Sequence, residues 1–220
     1  TLQEGGFKKI AILHDNTTYA KGLADETKAL LEGKIEIVFF DALTPGERDY
    51  TAILTKMKAA GPDGVFFTGY YPEAGLLLRQ KKEMGWDIPW LGGDANNNPD
   101  LVKIAGDTAA GFSFLSPPVP QDLPSQKAKD FLAAFQKKYD ATPGSIWAVL
   151  AGDGFLVITE AIEASGSTDP DKLADYLHNE MKEFQALTGK ISFNEKGDRV
   201  GELYQVYKVD AEGNFVLQVE

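Results

Sequence analysis

The first ninety residues alternate between short apolar runs and stretches with helical spacing, and this alternation limits the fold more than any other feature. Lys8-Lys9-Ile10-Ala11-Ile12-Leu13 reads as a buried strand and His14-Asp15-Asn16 as the loop at its carboxyl end. Ala20 to Glu32 has helical spacing, with Leu23, Thr27, Leu30 and Leu31 on one side. Ile35–Phe40 is the next strand, Tyr50–Ala60 the next helix, Gly64–Phe67 a third strand, Pro72–Met84 a third helix and Pro89–Gly92 a fourth strand. Gly61-Pro62 and Gly85 supply stops. Strands that alternate with helices in this way predict an α/β fold, a Rossmann-like parallel sheet flanked by helices. Ligands of such sheets sit at the carboxyl ends of the strands. The loops there are His14–Tyr19, Asp41–Asp49, Thr68–Glu73 and Gly93–Pro99.

After Gly111 the pattern changes. Phe112–Leu115 reads as extended, and Ser116-Pro117-Pro118-Val119-Pro120 has the composition of a stiff linker. Helical stretches follow at Ser125–Tyr139, Ile146–Ala164 and Pro170–Met181, the second too apolar to lie against water. Gly189–Phe193, Leu203–Val209 and Phe215–Val219 read as strands, with turns at Asn194–Asp198 and Asp210–Asn214.

Composition removes several functions. The 220 residues carry 22 basic and 33 acidic side chains, a net charge of −11, which argues against nucleic acid and against an anionic membrane surface. There are no cysteines, so disulfides, thiolate metal sites and cysteine nucleophiles are excluded. The two histidines, His14 and His178, form no ligand pair for a zinc enzyme. Glycine-rich dinucleotide and phosphate loops and the nucleophile elbow are absent from the sequence. No cofactor or metal is expected, and binding without chemistry is the simpler reading.

The rim loops hold the candidate site. Thr68-Gly69-Tyr70-Tyr71-Pro72 places two tyrosines directly after a strand, and Tyr70 is the one expected to face a crevice. Tyr19 follows the first strand and Asp94 the fourth. Asp94 reads equally as a cap or Asx turn, and Asn96-Asn97-Asn98-Pro99 as turn chemistry. Trp147 begins the apolar helix, where burial is the plain alternative. Asp153 lies inside that helix as either a paired buried charge or an interface residue. Aromatic walls with a carboxylate suit a small ligand that carries an ammonium group.

Lys9–Asp15, Tyr19–Ala24, Val38–Asp41, Pro45–Tyr50, Gly69–Gly75, Leu78–Gln80 and Phe193–Asp198 resemble the branched-chain amino-acid binding proteins of bacterial ABC transporters. The similarity runs from about Phe7 to the C-terminus. It implies a type I periplasmic-binding-protein fold, a two-lobed Venus flytrap. Residues 1–110 and 203–220 would form lobe 2, and residues 111–202 the C-terminal part of lobe 1. It also implies that this chain corresponds to the C-terminal two-thirds of such a protein. A missing N-terminal segment, carried by a second chain or removed, would complete lobe 1, and without it the helix from Ile146 would expose an apolar patch. Carried over residue by residue, the family's ligand contacts fall on Tyr19, Tyr70, Asp94 and Trp147. Asp94 takes the place of the acidic group that holds the ligand's ammonium. The implied role is an extracytoplasmic solute-binding protein, periplasmic or lipid-anchored, that delivers an amino acid or similar zwitterion to an ABC permease. A ligand-sensing receptor domain that binds an amide or aromatic compound is the alternative, and an enzyme is not expected.

Overall fold

A computed structural model describes residues 2–3, 5–201 and 203–218. The chain divides into two compact units, Thr1–Ser116 with Gln205–Glu220, and Pro117–Tyr204.

The first unit begins with β1 (Lys9–His14), α1 (Thr18–Leu31), β2 (Glu36–Ala42), α2 (Thr51–Ala59) and β3 (Gly64–Phe67). It continues through α3 (Tyr71–Glu83), β4 (Trp90–Gly92), α4 (Asp100–Ala105) and β5 (Ser113–Ser116), and it takes β8 (Gln205–Val209) and β9 (Phe215–Leu217) from the C-terminus. These strands form a seven-stranded sheet in the order β2-β1-β3-β4-β5-β8-β9. β1 to β5 pair in parallel, and β8 and β9 add antiparallel. The expected α/β fold with a mostly parallel sheet is the one observed.

Burial explains why these strands are so apolar. β3 is buried along its whole length, and β1 from Ile10 onward. Successive side chains of a strand face opposite sides, so a strand covered on both faces needs an unbroken apolar run. Ile10, Ile12, Phe66 and Leu91 pack with Ala24 and Leu31 of α1 in one cluster. Ala11, Leu13, Val65 and Phe67 alternate with those strand residues, and they too are buried. Each large aliphatic side chain buried this way contributes roughly 1.5–3 kcal/mol.

The strand order reverses at β1, which has β2 on one side and β3 on the other. The loops after β1 and β3 therefore leave the sheet in diverging directions and open a crevice at their carboxyl ends.

Two expectations change. The resemblance places Phe112–Leu115 with the C-terminal part of lobe 1, yet β5 hydrogen-bonds to β4 and β8. The division accordingly falls after Ser116 and before Gln205, not at Ala110 and Leu203. Pro170–Met181 is not one α-helix: α7 (Pro170–Asp175) passes into a π-helical turn over Tyr176–Glu180.

The second unit contains α5 (Gln126–Tyr139), α6 (Trp147–Ser165) and α7, with a hairpin of β6 (Phe184–Gln185) and β7 (Lys190–Ile191). Leu123, Ala128, Ile146, Val149 and Leu187 form one buried cluster, and Val157, Met181, Ala186 and Ile191 form another. Asp153 is 3% exposed on α6. It accepts hydrogen bonds from the Leu187 amide at 2.5 Å, the Thr188 amide at 3.2 Å and the Thr188 hydroxyl. Of the two readings of this residue, the structure gives a buried charge satisfied by hydrogen bonds.

Candidate functional site

The crevice at the strand reversal is built from three turns. After β1, Asp15 accepts from the Thr17 amide at 3.0 Å and from its hydroxyl at 2.7 Å. Asn16 adopts φ 62°, a left-handed conformation that asparagine tolerates better than most residues. Thr17 then caps α1 by accepting from the Ala20 amide at 3.2 Å. Tyr19 consequently sits in the first turn of α1, half-exposed toward the rim.

After β3, Thr68 is fully buried and donates to the Ala20 carbonyl at 2.7 Å, which ties the second turn to the start of α1. Tyr70 precedes α3 in an extended conformation (φ −92°, ψ 164°) and its side chain caps nothing. Tyr71 and Pro72 start the helix. After β4, Gly93 leads into a short 3-10 turn that begins at Asp94.

These turns bring three of the four candidate residues together. The Tyr19 hydroxyl donates to a carboxylate oxygen of Asp94. The rings of Tyr19 and Tyr70 lie 5.5 Å apart between centroids, tilted by 50°. Two half-exposed aromatic faces therefore stand beside an oriented carboxylate. Such a trio can attract an ammonium group by charge and by the ring quadrupoles while it offers apolar contact to the rest of a ligand. Trp147 belongs to the second unit, where it opens α6 and is 44% exposed. It is not the buried core residue that helical position alone would suggest.

Asn96 is the residue that turn composition concealed. It is fully buried, and its amide donates to the carbonyls of Gly69 and Gly93, each at 3.2 Å. One side chain thus braces the two turns that carry Tyr70 and Asp94. Its neighbour Asn97 donates to the Ser116 hydroxyl at 2.7 Å and anchors the same turn to β5. A row of three asparagines before proline was the available signal, but it does not distinguish solvent-facing amides from bracing ones. His14, at the end of β1, is 4% exposed and accepts from the Asn16 amide at 3.1 Å. Burial, and then the charge of Lys21, hold its pKa below the ordinary histidine value.

Among the described residues no group of three or more histidines and carboxylates could hold a metal ion. No described helix is long and apolar enough to cross a membrane.

The sequence matches the periplasmic binding protein family over residues 1–214. The chain belongs to that family. Within it, the similarity is to the branched-chain amino-acid binding proteins. A leucine-, isoleucine-, valine-, threonine- and alanine-binding protein of Pseudomonas aeruginosa is 37% identical over 202 residues, 91% of this chain and 53% of its own. A Leu/Ile/Val/Thr-binding protein of Salmonella typhimurium is 31% identical, with 94% of this chain and 55% of its own covered. Among solved structures, a leucine-binding protein of Thermotoga maritima superposes with a TM-score of 0.88 at 26% identity, over 99% of this chain and 61% of that one. The branched-chain amino-acid transporter substrate-binding protein of Streptococcus pneumoniae, solved in complex with isoleucine, gives a TM-score of 0.78 at 31% identity over 99% and 62%. This periplasmic binding protein therefore has the type I fold, and it spans about half the length of the relatives it matches in sequence. Membership of a family of binding proteins supports a role without catalysis.

Proposed function

We propose that this chain is part of an extracytoplasmic solute-binding protein that captures an amino acid or similar small zwitterion for an ABC importer. The observation that carries this reading is the Tyr19–Asp94 hydrogen bond beside the Tyr70 ring, at the strand reversal of a periplasmic binding protein sheet. Asp94 pairs the ligand's ammonium, and Tyr19 and Tyr70 wall the site. Residues 1–110 and 203–220 serve as lobe 2 and residues 111–202 as part of lobe 1, with the small shift of boundary described above. The P. aeruginosa relative, named for leucine, isoleucine, valine, threonine and alanine, and the S. pneumoniae relative, named for branched-chain amino acids, support an amino acid with a small or branched side chain as the ligand class. The same family membership supports delivery to a permease and an extracytoplasmic, periplasmic location.

Calorimetry with leucine, isoleucine and valine tests the reading. Asp94→Ala leaves the bound ammonium without its partner and is expected to weaken binding by about 2–5 kcal/mol. Unchanged affinity in that variant sinks the assignment of Asp94. Equal binding of an amino acid and its deaminated acid sinks the zwitterion reading as a whole.

A further inference from the structure

The turn between β1 and α1 depends on a neutral histidine. His14 ends β1 as a buried residue, and its Nδ1 accepts from the Asn16 amide at 3.1 Å. A ring nitrogen accepts only while it carries no proton, so this bond exists only in the neutral imidazole with its proton on Nε2. The turn that it closes needs support. Asn16 is held at φ 62°, in the left-handed region, and is followed at once by Thr17, the cap of α1. Tyr19, the second residue of α1, takes its place from that turn and donates to Asp94.

Protonation puts an N–H on Nδ1, opposite the Asn16 N–H, and two donors cannot share a hydrogen bond. The ring has no simple escape. It packs against Phe40 of β2 with centroids 5.4 Å apart, and a flip of the ring would aim carbon instead of nitrogen at the amide. The charged groups around it are Asp15 at the end of β1, Asp41 on β2, and Lys21 and Asp25 on α1, which pair with each other at 2.5 Å. Burial, and then Lys21, oppose a charge on the ring, while the three carboxylates favour it. The balance lowers the His14 pKa, so the ring is neutral above about pH 6.5 and charges in mild acid.

We propose that His14 is a positioning residue for the rim site: its neutral ring holds the turn that places Tyr19 against Asp94, and its protonation in mild acid releases that turn and with it a bound amino acid. The second half of this rests on the amino-acid reading of the rim. Linkage requires the converse, that a bound ligand resists protonation of His14. Asp94 is the other group at the rim whose protonation would loosen an ammonium, and a His14 variant leaves it in place.

Nuclear magnetic resonance of the chain labelled with ¹³C and ¹⁵N tests the turn without any ligand. The chain has two histidines, and His14→Gln identifies the His14 resonances. At about pH 7.5, Nδ1 of His14 is expected to resonate as an unprotonated nitrogen. As the pH falls to about 5, the Asn16 amide and the Tyr19 ring should shift with the same midpoint as His14. Calorimetry with leucine reads the consequence. Affinity should be about tenfold weaker at the acid pH, the loss expected for one hydrogen bond, and His14→Gln should lose that pH dependence. A protonated Nδ1 at neutral pH, Tyr19 resonances that ignore the His14 titration, equal leucine affinity at both pH values, or an undiminished pH dependence in His14→Gln overturns the proposal. If His14→Gln does not fold, the parent's resonances and its two affinities decide alone. Leucine that binds at neither pH, while Tyr19 follows His14, sinks the amino-acid reading and leaves the positioning of Tyr19 by His14 standing.

Discussion

At the scale of single residues, the rim is set by close approach. A methyl group on Gly93 would lie 3.1 Å from Leu23 Cδ2 and 3.2 Å from the Tyr19 hydroxyl, tighter than ordinary contact. Gly93→Ala is therefore expected to displace Tyr19 from Asp94 and weaken leucine binding in calorimetry. Tyr19→Phe removes the same hydrogen bond without crowding. Because Tyr19 is half-exposed, its urea midpoint should barely move, while affinity falls about tenfold, as expected for one hydrogen bond to a charged group. Two equal affinities would detach the hydroxyl from function. His14 makes a pH prediction. Its folded pKa is depressed, so below about pH 6.5 the unfolded chain binds more protons than the folded one. Stability from His14 is complete above that pH and is lost as pH falls toward the folded value. Urea midpoints should drop between pH 7.5 and pH 5, and the part of that drop due to His14 should vanish in His14→Gln.

Elements show what a sequence can and cannot reveal. β1 and β3 were legible because a parallel strand buried on both faces must be apolar throughout. Tyr19 and Tyr70 were legible because they follow those two strands, and the strand reversal makes the loops after them the rim. α4 has six residues, too few for helical periodicity to register, and it follows a turn-rich asparagine run. β6 has two residues and depends entirely on its hairpin partner. Asn96 was hidden for another reason: its role depends on which backbone carbonyls the fold brings near, not on local spacing. Asp153 was conspicuous on an apolar helix, but its partners lie 34 and 35 residues away. Those partners make α6 and the loop before β7 one cooperative piece. Asp153→Ala orphans two amides and a hydroxyl, and should destabilise the second unit by about 2–4 kcal/mol in chemical denaturation. A loss below about 0.5 kcal/mol would mean that water replaces the carboxylate without penalty.

For the whole molecule, charge and apolar surface oppose each other. Trp147, Phe155 and Ile158 are 44%, 70% and 47% exposed, and their spacing along α6 puts them on one helical face. Clustered apolar side chains of this size favour association. A net charge of −11 resists it, because two copies of the chain repel each other. That repulsion acts over a Debye length of about 30 Å at 0.01 M salt but only about 10 Å at 0.1 M, whereas apolar attraction is not screened. Self-association of the 24.0 kDa chain should therefore rise with both protein and salt concentration. Replacing Phe155 and Ile158 by serine removes most of the apolar drive and leaves the charge unchanged, so sedimentation velocity should show a monomer at every salt concentration. If the double variant associates as strongly as the parent, the attraction lies elsewhere on the surface. If association weakens as salt is added, it is held by charge pairing, and the α6 face is not its cause.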